Sequence, residues 1–394
     1  MGSNLLILLY QGEGGYTPKP HKIASLVLAV TLLTGSPLNA QQRPPSSSSF
    51  NQLSAKADQA RDANRLDEAV RFYRQALALR PGWAEGWWSL GTIEYDRNHY
   101  ADSARAFRKL IDLAPKSGNA LAMLGLSEFE LGQQDLALKH IQASREAGLA
   151  EDDHLRNVVL YHEGVLLQRK GRFESAQQTL EQLCLLGVAS DEVANALGMT
   201  MLRSSAKQPP EKGSREEDVV LRVGQAECLA GQKKYEEGKK LFSAVVAQYP
   251  DYPNIHYAYG MFLEEARDLP AAIDQYKEEI KNNPNDVFAR LRIAAANYKV
   301  SSAAGLPYAE EAVKLAPMQP FGHYLLGLLL LDTDKYEQAI PELELAKKAY
   351  PKDAKIYFAL GSAYARAGRR QDAARARAKF AELNQKLNSE EANQ

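Results

Sequence analysis

Residues 84–115 read AEGWWSLGTIEYDRNHYADSARAFRKLIDLAP, and the same row returns down the chain. Prolines fall at 81 and 115, then at 250, 284, 317 and 351, so the interval is 34, then 34, 33 and 34 residues. The row from Pro320 carries Leu326-Gly327, Tyr336, Ala339, Ala346 and Pro351, and the row from Ala354 carries Tyr357, Leu360-Gly361, Tyr364, Gly368 and Ala373. A fixed period of this length is the mark of stacked two-helix units. Eighth positions hold Ala57, Gly91, Gly125, Gly164, Gly198, Ala226, Gly260, Gly327 and Gly361; twentieth positions hold Ala69, Ser103, Ala137, Ala176, Gly238, Ala272, Ala339 and Ala373. Small residues in both columns let the two helices of a unit approach closely. Asn98, Gly132, Gly171 and Gly368 fall between the helices, where a positive φ is least costly for Gly or Asn. The prolines follow the second helix and stop it without breaking its interior bonds. Pro341 is the exception, one turn into a second helix, where a kink is expected.

The pattern of an aromatic residue, Leu-Gly, Tyr, a small residue, an aromatic residue, Ala and Pro at set offsets resembles the tetratricopeptide repeat family. The resemblance covers about residues 50–387 in roughly ten units. It implies an all-α, right-handed superhelical solenoid whose first helices line a concave groove. In that family positions 2, 5, 9, 12 and 13 of each unit face the groove. The matching positions here imply partner-binding roles for Trp88, Tyr95, Phe129, Tyr161, Arg169, Tyr257, Glu264, Phe321, Tyr324, Phe358 and Arg366, with Glu85, Thr92, Asp96, Asn119, Glu130, Gln168, Asn254, Met261, Glu265, Leu328, Leu331, Asp332 and Lys355 beside them. Rings supply buried area and charges set register, which suits an extended peptide or a partner helix; aromatic stripes suit a glycan as well. Some family members grip a chaperone's terminal carboxylate with Lys and Asn at set first-helix positions. Here the fifth and ninth positions include Trp88 and Thr92, Tyr161 and Val165, Tyr324 and Leu328, so that clamp is missing.

The register breaks in places. Units three and four end at Leu149 and Val188 without proline. Unit five has a first helix near Asp191–Arg203 and then SSAKQPPEKGSREED, too polar and proline-broken for a second helix. Residues 204–218 are therefore expected to be an exposed loop between an N-terminal sub-array (50–203) and a C-terminal one (219–387), with a polar tail at 388–394. Unit eight carries SSAAGLP where its inter-helix turn should be.

Before the array, Lys19 and Lys22 precede an apolar run from Ile23 to Leu33, broken by Gly35, Ser36 and Pro37 ahead of Ala40. That is the build of a secretory signal peptide over 1–40, followed by a linker at 41–49. The expectation is export to the periplasm or outside the cell, with an uncleaved membrane anchor as the alternative.

Forty-eight Lys+Arg against forty-nine Asp+Glu in 394 residues leave a net charge of −1, without the field of a nucleic-acid binder. No phosphate loop, dinucleotide fingerprint or nucleophile elbow occurs, and the seven histidines never pair at ligand spacing. His256 and His323 occupy the fourth position of first helices, where an aromatic residue packs, and read as satisfied core or surface histidines. Two cysteines cannot build a four-ligand metal site. Cys184 and Cys228 are expected to be free thiols if unit five stacks normally, and bridged if it is squeezed out. No cofactor and no catalysis are expected. The sequence points to a non-catalytic scaffold that binds a protein or peptide segment. A module of an envelope machine (polysaccharide export or outer-membrane assembly) binding a glycan or membrane partner is the alternative, and an enzyme with an unrecognised site the least favoured reading.

Overall fold

The computed structural model describes residues 46–149 and 153–391, which hold nineteen α-helices and no strand. They divide into two compact units after Gln232. In the first unit the helices pair in chain order: α1 (Ser46–Asp62) with α2 (Leu66–Leu79), α3 (Ala84–Asp96) with α4 (Tyr100–Leu113), and α5 (Gly118–Glu130) with α6 (Gln134–Ala147). Next come α7 (Asp153–Arg169) with α8 (Phe173–Leu185), and α9 (Asp191–Met201) with α10 (Arg215–Gly231). The second unit opens with α11 (Tyr235–Gln248). Its pairs are α12 (Ile255–Glu265) with α13 (Leu269–Asn282), α14 (Val287–Asn297) with α15 (Ser302–Leu315), α16 (Pro320–Asp332) with α17 (Tyr336–Ala349), and α18 (Ala354–Arg366) with α19 (Arg370–Glu391). Nine pairs and the additional helix α11 thus stand where about ten two-helix units were expected.

The small-residue columns act as the sequence implies. A Cβ on Gly91 would lie 2.8 Å from the Phe107 ring, one on Gly125 2.7 Å from Ile141, and one on Gly327 2.6 Å from Leu343. Each partner stands sixteen residues on, in the second helix of the same pair. The turns between paired helices take a positive φ at Asn98 (61°), Gly132 (72°), Gly171 (70°) and Gly368 (75°), as the register predicts. Side-chain caps start several first helices: Ser117 accepts from the Ala120 N–H at 3.3 Å and Asp286 from the Ala289 N–H at 2.6 Å, each filling one of the donors a helix start leaves open.

Buried carboxylates tie successive pairs together. Glu94 on α3 accepts from Arg74 of α2 at 2.7 Å and sits 2.8 Å from His99. One period later Glu128 on α5 accepts from Arg108 of α4 at 2.8 Å and sits 2.6 Å from His140. Burial acts to raise the Glu128 carboxyl, but hydrogen bonds from His140 and Arg108 outweigh it and hold it below the usual range. A buried carboxylate is stable only when paired in this way.

Several expectations need correction. The first four residues of α1, 46–49, belonged to the expected linker, and Phe50 just beyond them is buried with its ring edge-on to Trp83 at 5.2 Å. The remainder of the 1–40 and 41–49 segments lies outside the described residues. The tail expected from 388 is helical as far as Glu391. SSAAGLP does not replace a turn, because Ser302–Pro307 form the start of α15, while Pro341 lies inside an uninterrupted α17.

The largest revision concerns α10. It begins at Arg215, inside the expected 204–218 loop, because Ser214 caps it by accepting from the Glu217 N–H at 3.0 Å and Glu217 reaches back to the Gly213 N–H. It packs on α9 and belongs to the first unit, not to a C-terminal sub-array starting at 219. Gly198 and Gly224 make the crossing possible: a Cβ on either would overlap the Val220 or Ala194 carbonyl oxygen. Helix α10 also lies against α8, which brings Cys228 to Cys184 with Cα atoms 5.3 Å apart, and the two form a disulfide instead of free thiols.

Candidate functional site

A cleft of about 620 Å³ opens on the second unit. Three successive first helices and the last helix build it. Along α18, Lys355, the neighbours Phe358 and Ala359, Ser362 and Arg366 recur at three- or four-residue steps and so share one stripe. Tyr324, Leu328, Leu331 and Asp332 do the same on α16. Tyr298 and Lys299 enter from the end of α14, and Phe380 from α19 closes one side with its ring 5.4 Å from Phe358.

Charge in the cleft is unevenly engaged. Lys299 donates to Asp332 at 2.5 Å, and the Ser302 hydroxyl donates to the same carboxylate at 2.6 Å. Those two hydrogen bonds hold Asp332 below the usual carboxylate range, and the first of them raises Lys299. Arg366 donates to the Leu331 carbonyl at 3.2 Å, pairs with Asp334 and stacks over Tyr336 at 4.6 Å. Burial raises the Tyr324 hydroxyl, keeping it a donor. Among the described residues Lys355 has no ion-pair partner. Phe358 is 61% exposed although it is a large ring in a concave surface.

Of the residues read from the family positions, the cleft gathers Tyr324, Phe358 and Arg366, with Leu328, Leu331, Asp332 and Lys355. Phe321 is exposed at the start of α16 but does not line it. Tyr257 is only 1% exposed, packed 5.8 Å from Tyr276, and is core, closed to any partner. Glu264 is occupied by Arg292 at 3.1 Å. Tyr298, Lys299, Ala359, Ser362 and Phe380 were not among the residues expected. The first two occupy the twelfth and thirteenth positions of the short unit eight and were reachable by the same rule. Phe380 lies on a second helix, where that rule does not look.

The first unit treats its groove positions differently. Trp88 is half-buried against Phe107 at 5.6 Å, and Tyr95 is buried against Tyr100 at 5.4 Å. Phe129, Tyr161 and Arg169 come together around His162: the Phe129 and Tyr161 rings stand edge-on to it at 4.7 and 5.3 Å, and Arg169 covers Phe129 at 4.9 Å. Burial pushes the His162 imidazole down to about 4. The segment after α9 folds back here. Gln168 donates to the carbonyls of Ser204 and, at 3.3 Å, Ala206, while Arg169 donates to that of Lys207 at 2.8 Å. Two groove positions are thus engaged by the chain itself.

The tetratricopeptide repeat model matches residues 90–151, 224–287, 301–354 and 324–383, together just over half the sequence. The chain belongs to the tetratricopeptide repeat family. Proteins of this family are generally protein-interaction scaffolds that bind protein partners. Superkiller protein 3 of Schizosaccharomyces pombe is 24% identical over 317 residues, which is 77% of this chain and 20% of that protein. Anaphase-promoting complex subunit 7 of Mus musculus is 25% identical over 230 residues, 56% of this chain and 40% of that protein. The repeat array therefore spans a fifth to two fifths of the length of these curated relatives. Among solved structures, MamA from Desulfovibrio magneticus RS-1 aligns at 24% identity with a TM-score of 0.39, covering 42% of this chain and 94% of that one. No helix among the described residues is long and apolar enough to cross a membrane.

Proposed function

We propose that this tetratricopeptide repeat protein is a non-catalytic scaffold that holds a segment of a partner protein in the cleft between α14, α16, α18 and α19. The observation that carries the reading is Phe358, a ring left largely in solvent among apolar neighbours in a concavity of the size that holds ligand groups. Large apolar groups exposed in a rimmed depression mark interaction sites more often than scattered surface residues do. A photo-crosslinking residue placed at Phe358 should trap a partner in the intact cell, whereas the same residue at exposed Glu310 on α15 should not. Equal trapping at both positions, or trapping at Glu310 alone, would sink the proposal.

We further propose that the protein works in an oxidising compartment after export, supported by the basic and apolar pattern of residues 19–40 and by the Cys184–Cys228 bridge. Disulfides persist where the glutathione system does not keep thiols reduced. Alkylation of whole cells followed by mass analysis should find both cysteines blocked by the bridge, in a fraction outside the cytoplasm. Free thiols in the cytoplasmic fraction would reject this.

A further inference from the structure

Resting on the reading of the cleft as a peptide site, we infer that the segment it takes is acidic: an internal stretch with an aromatic or bulky apolar side chain next to a side-chain carboxylate. The apolar requirement comes from Phe358, Phe380 and Tyr324, whose rings line the cleft. The charge requirement comes from which cations are already used. Lys299 is neutralised by Asp332, and Arg366 by Asp334 and a backbone carbonyl. Lys355 alone keeps its charge for a visitor, one turn of α18 from Phe358. A single ammonium is a point charge suited to one carboxylate, without the paired fork that grips a planar group in two places. An incoming lysine would meet Lys355 beside two ion pairs, Lys299–Asp332 and Arg366–Asp334, and like-charge juxtaposition excludes wrong partners more strongly than a matched pair adds affinity.

The test uses the full chain and fluorescence polarisation with labelled, end-blocked peptides of sequence Ala-Gly-Glu-Phe-Gly-Ala and the versions with Gln, Lys or Leu-for-Phe changes. The Glu-Phe and Glu-Leu peptides should bind, with Gln weaker by about two- to five-fold, the size of an exposed charge pair, and Lys weaker still. Lys355→Glu should invert the Glu-against-Lys order while leaving the thermal unfolding midpoint unchanged, and Phe358→Ala should weaken all peptides together. If Phe358→Ala weakens binding but Glu, Gln and Lys peptides bind alike, the cleft reading survives and the acidic inference fails. Preference for an unblocked C-terminus over the Glu side chain overturns the inference in favour of chain ends. Self-association of the protein that Lys355→Glu abolishes overturns it in favour of a second copy. Absence of binding by every peptide also overturns it; the cleft reading then stands or falls separately on crosslinking at Phe358.

Discussion

Replacing Gly91 with Ala sets two effects against each other. Helix propensity favours alanine by about 1 kcal/mol, but the new methyl would press on the fully buried Phe107 ring, and overpacking a filled site costs about 1–3 kcal/mol. The clash should win, so Gly91→Ala lowers stability in urea melts. Gly82→Ala, with nothing within 4 Å, should be neutral or stabilising; equal effects at both sites would refute the packing account. His162 supplies a pH prediction. Its imidazole titrates near 6.5 in the unfolded chain and about 4 in the folded one, so the unfolded state binds more protons between those values. Stability contributed by keeping His162 neutral is present above about 6.5 and is lost as pH falls toward 4, up to roughly 3 kcal/mol. Glu128 acts lower on the scale: its depressed carboxyl contributes stability above its unfolded value near 4.3, lost on further acidification. His162→Leu should flatten the melting temperature between pH 7 and 4, leaving the drop below it. Residue roles of this kind were legible where sterics dictate them, as in the glycine columns. They were illegible for Tyr257, because a period places a ring on a helix face but does not say whether the next unit has already covered it.

At the level of helices, the sequence misplaced α10 for a physical reason. Its apolar spacing fits either helix of a repeat, so only the partner decides its role, and the Gly198–Gly224 crossing makes α9 that partner. Gly224→Ala should cost about 3 kcal/mol or more, since the Ala194 carbonyl and not a movable side chain stands in the way. Hydrogen exchange should then rise in both α9 and α10; a rise confined to α10 would disprove their pairing. The bridge between α8 and α10 joins cysteines 44 residues apart, and in the chain-entropy view closing such a loop is worth up to about 4 kcal/mol. A Cys184→Ser/Cys228→Ser double variant should lose stability in that range, and an unchanged denaturation midpoint would show that packing of α10 alone suffices. Of residues 204–218, expected to be an exposed loop, 204–214 lie between helices and 215–218 open α10. The loop's attachment to Gln168 and Arg169 was hidden, because backbone carbonyls are the acceptors and carry no sequence signature.

Across the molecule, the repeat made the architecture readable and left the division of labour unread. First-helix positions in the two units look alike in sequence, yet the chain covers its own Gln168 and Arg169 while Tyr324, Phe358 and Lys355 stay open. The same covering segment is a largely exposed polar stretch, with Lys212 reaching solvent. Exposed loops of small and polar residues are where proteases enter. Helix α9 and that whole stretch, however, lie between Cys184 and Cys228. A nick at Lys212 therefore opens a ring and severs nothing: the protein becomes two polypeptides held by one covalent link, migrating as a single species until a reductant is added.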